Sequence, residues 1–87
     1  MNIIKKNGRI EELKKDKIKV SIENAAKDSA TMLNNSDVEL LVSDIMKTLK
    51  KLRRDGDTSS YEVSGVVLHI LNKNKFDDIL NSYAQNE

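Results

Sequence analysis

The sequence predicts a mainly α fold, in which an N-terminal two-stranded antiparallel β-hairpin packs on a four-helix bundle. Three observations predict it. Asn7-Gly8 stands between two short apolar-basic runs, Ile3-Ile4-Lys5-Lys6 and Arg9-Ile10-Glu11-Glu12-Leu13, and Asn-Gly is the strongest short-range hairpin signal because tight turns need φ > 0. Downstream, apolar residues recur at three- and four-residue spacing in four successive stripes, the mark of amphipathic helices. Short polar breaks with helix-capping residues separate these stripes. A chain of 87 residues is sized for one small domain, here residues 1–87. Its only aromatics are Tyr61, Phe76 and Tyr83, so the core must be aliphatic.

The hairpin is expected over about residues 2–14. With a two-residue turn, Ile3, Lys5, Ile10 and Glu12 share one face, and Ile4, Lys6, Arg9, Glu11 and Leu13 share the other. A bulge at Gly8 would shift that register. On either register each face mixes apolar and charged groups, whereas a ribbon that only covers a core segregates them. Two explanations stand side by side: a polar ligand or partner between hairpin and bundle, or a ribbon with solvated lysines and no ligand. Residues 1–19 carry Lys5, Lys6, Arg9, Lys14, Lys15, Lys17 and Lys19 against Glu11, Glu12 and Asp16, a local charge of +4 in a chain of +1.

The first helix is expected at about 16–33, with Asp16 as N-cap and a stripe of Ile18, Ile22, Ala25, Ala26, Ser29 and Leu33. Ser36-Asp37-Val38-Glu39 reads as a capping box that opens a second helix at about 37–53. Its stripe is Val38, Leu41, Val42, Ile45, Leu49 and Leu52. Lys47, Lys50, Lys51, Arg53 and Arg54 gather towards its C-terminal end, where cations suit the helix dipole, so this basic run has a structural explanation. Asp55-Gly56-Asp57-Thr58 reads as a turn. Ser59-Ser60-Tyr61-Glu62 repeats the capping box, with Ser59 as cap, before a third helix at about 60–73 striped by Val63, Val66, Val67, Ile70 and Leu71. Gly65 inside it either admits a close neighbour or is a tolerated defect of roughly 1 kcal/mol. His69 falls off the stripe, as a rim or surface residue. Phe76, Ile79, Leu80 and Tyr83 make a fourth helix at about 75–84, fraying at Gln85-Asn86-Glu87.

Composition excludes several classes. Without cysteine there is no disulfide, thiolate zinc site, iron–sulfur cluster or thiyl chemistry. A single histidine builds no metal site unaided. No apolar run approaches the roughly 20 residues of a membrane span, and the charged start lacks the pattern of a secretory signal, so a cytoplasmic location without membrane contact is expected. A near-neutral total charge argues against a nucleic-acid binder. No nucleophile–base set, spaced acid pair or Walker-type phosphate loop appears, and the expectation is a protein that is not an enzyme.

The run Ile3-Ile4-Lys5-Lys6-Asn7-Gly8-Arg9-Ile10-Glu11, followed by Asp16-Lys17-Ile18, resembles the opening of an ATP-cone domain. That pattern is an apolar strand, Lys and a second basic residue, Asp/Asn-Gly, a short strand with an acidic residue, and Lys-Ile at the start of the first helix. Ser59-Ser60-Tyr61-Glu62-Val63-Ser64-Gly65-Val66-Val67 resembles the family's third-helix opening, and hairpin-then-four-helices is its element order. The resemblance spans essentially the whole chain and is most specific in the hairpin. ATP-cones are regulatory domains of ribonucleotide reductases and of their zinc-ribbon transcriptional repressor. Cysteine-free, this chain contains neither host, and is expected to be a cone standing alone or cut from a larger protein.

The resemblance implies a regulatory module that binds ATP or dATP, with Mg²⁺, and acts by nucleotide-dependent association with itself, a reductase or another host. The alternative is a degenerate cone kept as a protein-interaction module without nucleotide. The implied site has Lys5, Lys6 and Lys17 on the phosphates, Glu11 accepting from an adenine amino group, Ile3 and Ile18 around the base, and Ser60 and Ser64 towards ribose or phosphates. This chain departs from the pattern at Lys6, where arginine is usual, at Asn81, where a basic residue is expected, and at Lys14, where some cones carry an uncharged polar residue.

Overall fold

The chain turns first at Lys5–Gly8, and this turn fixes what the hairpin presents. In the computed structural model, which describes residues 1–53 and 56–85, Gly8 N–H donates to the Lys5 carbonyl at 2.9 Å and Lys5 N–H donates to the Arg9 carbonyl at 2.7 Å. Gly8 is at φ +86°, while Asn7 stays at negative φ and accepts the Arg9 N–H on its side-chain oxygen at 3.1 Å. The loop therefore holds Lys6, Asn7 and Gly8, a turn followed by a glycine bulge rather than the two-residue turn. Strand β1 (Asn2–Ile4) pairs antiparallel with β2 (Ile10–Glu12), Ile3 opposite Glu11 and Ile4 opposite Ile10.

One register step decides the faces. Ile3 and Glu11 now point the same way, with Lys5 and Leu13, and all four are buried or half-buried. Asn2, Ile4, Ile10 and Glu12 point outward and are exposed. The two-residue register would have put Ile3 and Glu11 on opposite faces.

The sheet corrects the expected two-stranded hairpin. A third strand, β3 (Thr58–Ser59), pairs parallel with β1, Ile3 opposite Thr58 and Ile4 opposite Ser59, giving a mixed sheet in the order β2-β1-β3. Thr58, expected in a turn, is the buried polar residue of the core. Its hydroxyl donates to Glu62 at 2.8 Å, which satisfies it where no water reaches.

Helix α1 (Lys15–Asp28) has Lys14 at its N-cap position with no side-chain cap, and Asp16 lies in the first turn instead of capping. It ends five residues before Leu33. Ala30, at φ +55°, closes it in a Schellman motif, with Thr31 N–H on the Ala26 carbonyl and Ala30 N–H on the Lys27 carbonyl. Helix α2 (Asn35–Leu52) is capped by Asn34, not Ser36, because the Asn34 side chain accepts the Asp37 N–H at 2.8 Å. Leu52, expected in the stripe, is exposed. Helix α3 (Ser60–Lys73) is capped by Ser59, which accepts the Glu62 N–H at 3.1 Å. Glu62 does not reach back as a capping box requires. It receives Arg53 and Thr58 instead. A second Schellman motif, with Lys75 at φ +62°, ends α3 before α4 (Asp77–Gln85). Arg54 and Asp55 of the basic run and turn, and Asn86 and Glu87 of the frayed end, lie outside the described residues.

Each helix packs on two others in a closed ring, α1 on α2, α2 on α3, α3 on α4 and α4 on α1. Ile22, Leu41, Ile45, Leu49, Val67, Leu71 and Ile79 fill its centre. Ile3 enters this same cluster from β1, which anchors the sheet to the bundle. Gly65 is exposed with open space where a Cβ would sit, so no neighbour requires it. His69 is exposed, as its place off the stripe implied. Among the described residues, no helix is long and apolar enough to cross a membrane.

Candidate functional site

The inward face of the hairpin does not close completely on the helices. A cavity of about 110 Å³ remains between them. Ile3 and Lys5 from the first arm and Glu11 to Leu13 from the second form its roof. Lys14, Lys17, Ile18 and Ser21 form one wall, because three- and four-residue spacing stacks residues on one helical face. Val63 and Val67, a turn apart on α3, and Tyr83 of α4 complete it.

The cavity is apolar at depth and charged at the mouth. Ile3, Ile18, Val63, Val67 and Tyr83 are all buried. Lys14, Lys17 and Glu12 are exposed, and Lys5 and Glu11 half-buried. Lys17 Nζ lies 3.8 Å from Glu11 Oε1, an ion pair that ties the start of α1 to β2. Both partners keep contact with water, so the pair is worth at most about 1 kcal/mol. Among the described residues, no ion pair or side-chain hydrogen bond engages the ammonium groups of Lys5 and Lys14. An apolar slot rimmed by ammonium groups and a carboxylate suits a molecule with a flat apolar body, a hydrogen-bond donor and an anionic tail.

Of the eight residues singled out from sequence, five meet at this cavity: Ile3, Lys5, Glu11, Lys17 and Ile18. Three do not line it. The Lys6 ammonium sits 5.6 Å from the centre of the Tyr61 ring, over an exposed aromatic face. Ser60 donates to the Ile4 carbonyl at 3.3 Å and so fastens α3 to β1. Ser64 is half-buried beside Val63 and has a partner of its own. Sequence reasoning missed Glu12, Leu13, Lys14, Ser21, Val63, Val67 and Tyr83 as lining residues. For Lys14 and Ser21 a signal existed, since they fall three or four positions from Lys17 and Ile18. Val63, Val67 and Tyr83 looked like plain core stripe and carried none.

A second polar cluster lies across the bundle end. Arg53, at the C-terminus of α2, holds Glu62 through Nε at 3.1 and 3.2 Å and through Nη2 at 3.1 Å. The hydrogen bond from Arg53, with that from Thr58, keeps the Glu62 carboxyl below the usual glutamate range, and Arg53 is raised in turn. This cluster staples α2, β3 and α3. No group of three or more acidic or histidine residues able to hold a metal occurs among the described residues.

Compared with known proteins, residues 1–85 match a family model described as an ATP cone domain. No curated protein matches the chain.

Proposed function

The chain belongs to the ATP-cone domain family, a family of regulatory nucleotide-binding domains, and from that premise we propose that it binds ATP or dATP in the cavity between the hairpin and α1. The single observation that carries this reading is the convergence of Ile3, Lys5, Glu11, Lys17 and Ile18, from three separate stretches of chain, on one cavity. A volume of about 110 Å³ is of the order of the cavity of roughly 150 Å³ that admits one benzene-sized ring. A purine is larger than benzene, so it enters between Ile3 and Ile18 only as the walls open, while ribose and phosphates stay at the rim. Glu11 accepts from the exocyclic amino group of adenine, which guanine does not present at that position. Lys5 and Lys17 meet the phosphates as point charges. Mg²⁺ arrives on the triphosphate, held largely by phosphate oxygens and water. Ser60 and Ser64 take part only by turning from their present contacts, while Lys6 stays over Tyr61.

The bound cone then acts through association, with a reductase, another host or a second copy. A second reading, a cone kept as an interaction module without nucleotide, is favoured by one observation. Ile4 and Ile10 lie side by side on the outward sheet face, 39% and 61% exposed, with Tyr61 71% exposed. Titration calorimetry on the purified chain separates the two. ATP and dATP should bind with one site and exceed AMP and GTP. Equal heats from all nucleotides and from tripolyphosphate would show nonspecific attraction to the basic hairpin. No heat from any, with self-association in nucleotide-free buffer, would favour the interaction module.

A further inference from the structure

We infer that Lys14, rather than Lys6, is the third cation this chain offers to the phosphates of a nucleoside triphosphate. The inference rests on the nucleotide reading above and deepens it. Three lysines line the cavity, Lys5, Lys14 and Lys17, and of the two acidic residues that line it, Glu11 is the one on the inward face of the hairpin. Lys17 already spends part of its field on Glu11, 3.8 Å away. Lys14, like Lys5, has no charged or hydrogen-bonded side-chain partner among the described residues. It immediately precedes α1 and shares a wall with Lys17, Ile18 and Ser21, so its reach is towards the same rim.

Lys6 stands differently. The glycine-bulged turn places it in the loop, past the last ladder pair, Ile4 with Ile10. Its ammonium lies over Tyr61 and lines no part of the cavity. To serve a phosphate it would have to leave a cation–π contact, whereas Lys14 leaves nothing. A multiply charged anion draws most on the cations that need no reorganisation.

The test is calorimetry with ATP, Mg²⁺ and AMP on the full chain carrying Lys14→Ala, Lys14→Met, Lys14→Arg or Lys6→Ala, with a melting curve for each. Lys14→Met keeps the aliphatic stem, so it reads the charge even where the alanine variant folds poorly. The expected result is an ATP affinity about tenfold weaker for Lys14→Ala and Lys14→Met, as for loss of a hydrogen bond to a charged group. The loss should be smaller on AMP, and Lys14→Arg and Lys6→Ala should stay within about threefold of the parent. Three results would overturn the inference while leaving the nucleotide reading intact: unchanged ATP affinity in Lys14→Met, a larger loss in Lys6→Ala than in Lys14→Met, or equal losses on ATP and AMP. A parent chain that binds no ATP overturns both, and is distinguished because it is read before any substitution.

Discussion

Ala30 and Lys75 occupy the left-handed positions that end α1 and α3, at φ +55° and +62°, where glycine is the usual residue. A Cβ there costs about 1–2 kcal/mol in the folded state, offset in part by the greater chain entropy that glycine loses on folding. Ala30 is exposed, so Ala30→Gly forfeits little packing and should raise stability by about 0.5–1 kcal/mol in urea unfolding. Glu62 gives a pH-dependent prediction. Its folded-state pKa is lowered, chiefly by the Arg53 hydrogen bond and then by Thr58. Its contribution is therefore complete above the unfolded value, about 4.3, and is lost as pH falls through the lower folded value. Glu62→Gln should destabilise the chain at pH 7, and the gap between variant and parent should narrow on acidification below about pH 4. A gap that stays constant with pH would show that the carboxylate charge is not what Arg53 and Thr58 hold.

At the scale of elements, the hairpin and helix caps decide where side chains go. Gly8 stands at φ +86° with open space around a would-be Cβ. Gly8→Ala should thus cost about 1 kcal/mol through backbone strain alone, seen as a lowered melting temperature with an unchanged circular dichroism spectrum. Asn34→Ala removes the cap of α2 and should cost about 1 kcal/mol, while Ser36→Ala should cost little. Much at this scale was legible from the sequence. The four helices follow from their stripes, and every residue of the Val63–Leu71 stripe is buried. What escaped has local causes. The end of α1 is set by a Schellman motif built on alanine, and no glycine advertises it. The α2 cap is one of three neighbouring polar residues, Asn34, Asn35 and Ser36, each a good cap by type. Strand β3 is two residues long, and its parallel partner lies more than fifty residues away, beyond any local signal.

The described residues form a ring of four helices with a small mixed sheet packed on it, and the candidate site lies where sheet and ring fail to meet. Five of the twelve residues that line it were readable because they cluster in the first 18 positions. The deep wall was not, since Val63, Val67 and Tyr83 serve the core and the cavity with the same side chains. Charge location gives a test at this scale. Lys5→Ala or Lys17→Ala should weaken ATP binding by roughly 1.5–3 kcal/mol each. Lys50 and Lys51 lie exposed in the last turn of α2, and replacing both by alanine should change affinity only as far as long-range screening allows. The most direct measurement is an amide chemical-shift titration of the full chain with ATP and Mg²⁺. Saturable shifts should centre on Ile3, Lys5, Glu11, Lys17 and Ile18, with Lys47 to Lys51 unmoved. Shifts that fall on Lys47 to Lys51 instead, or that fail to saturate anywhere, would contradict a nucleotide site at the hairpin cavity.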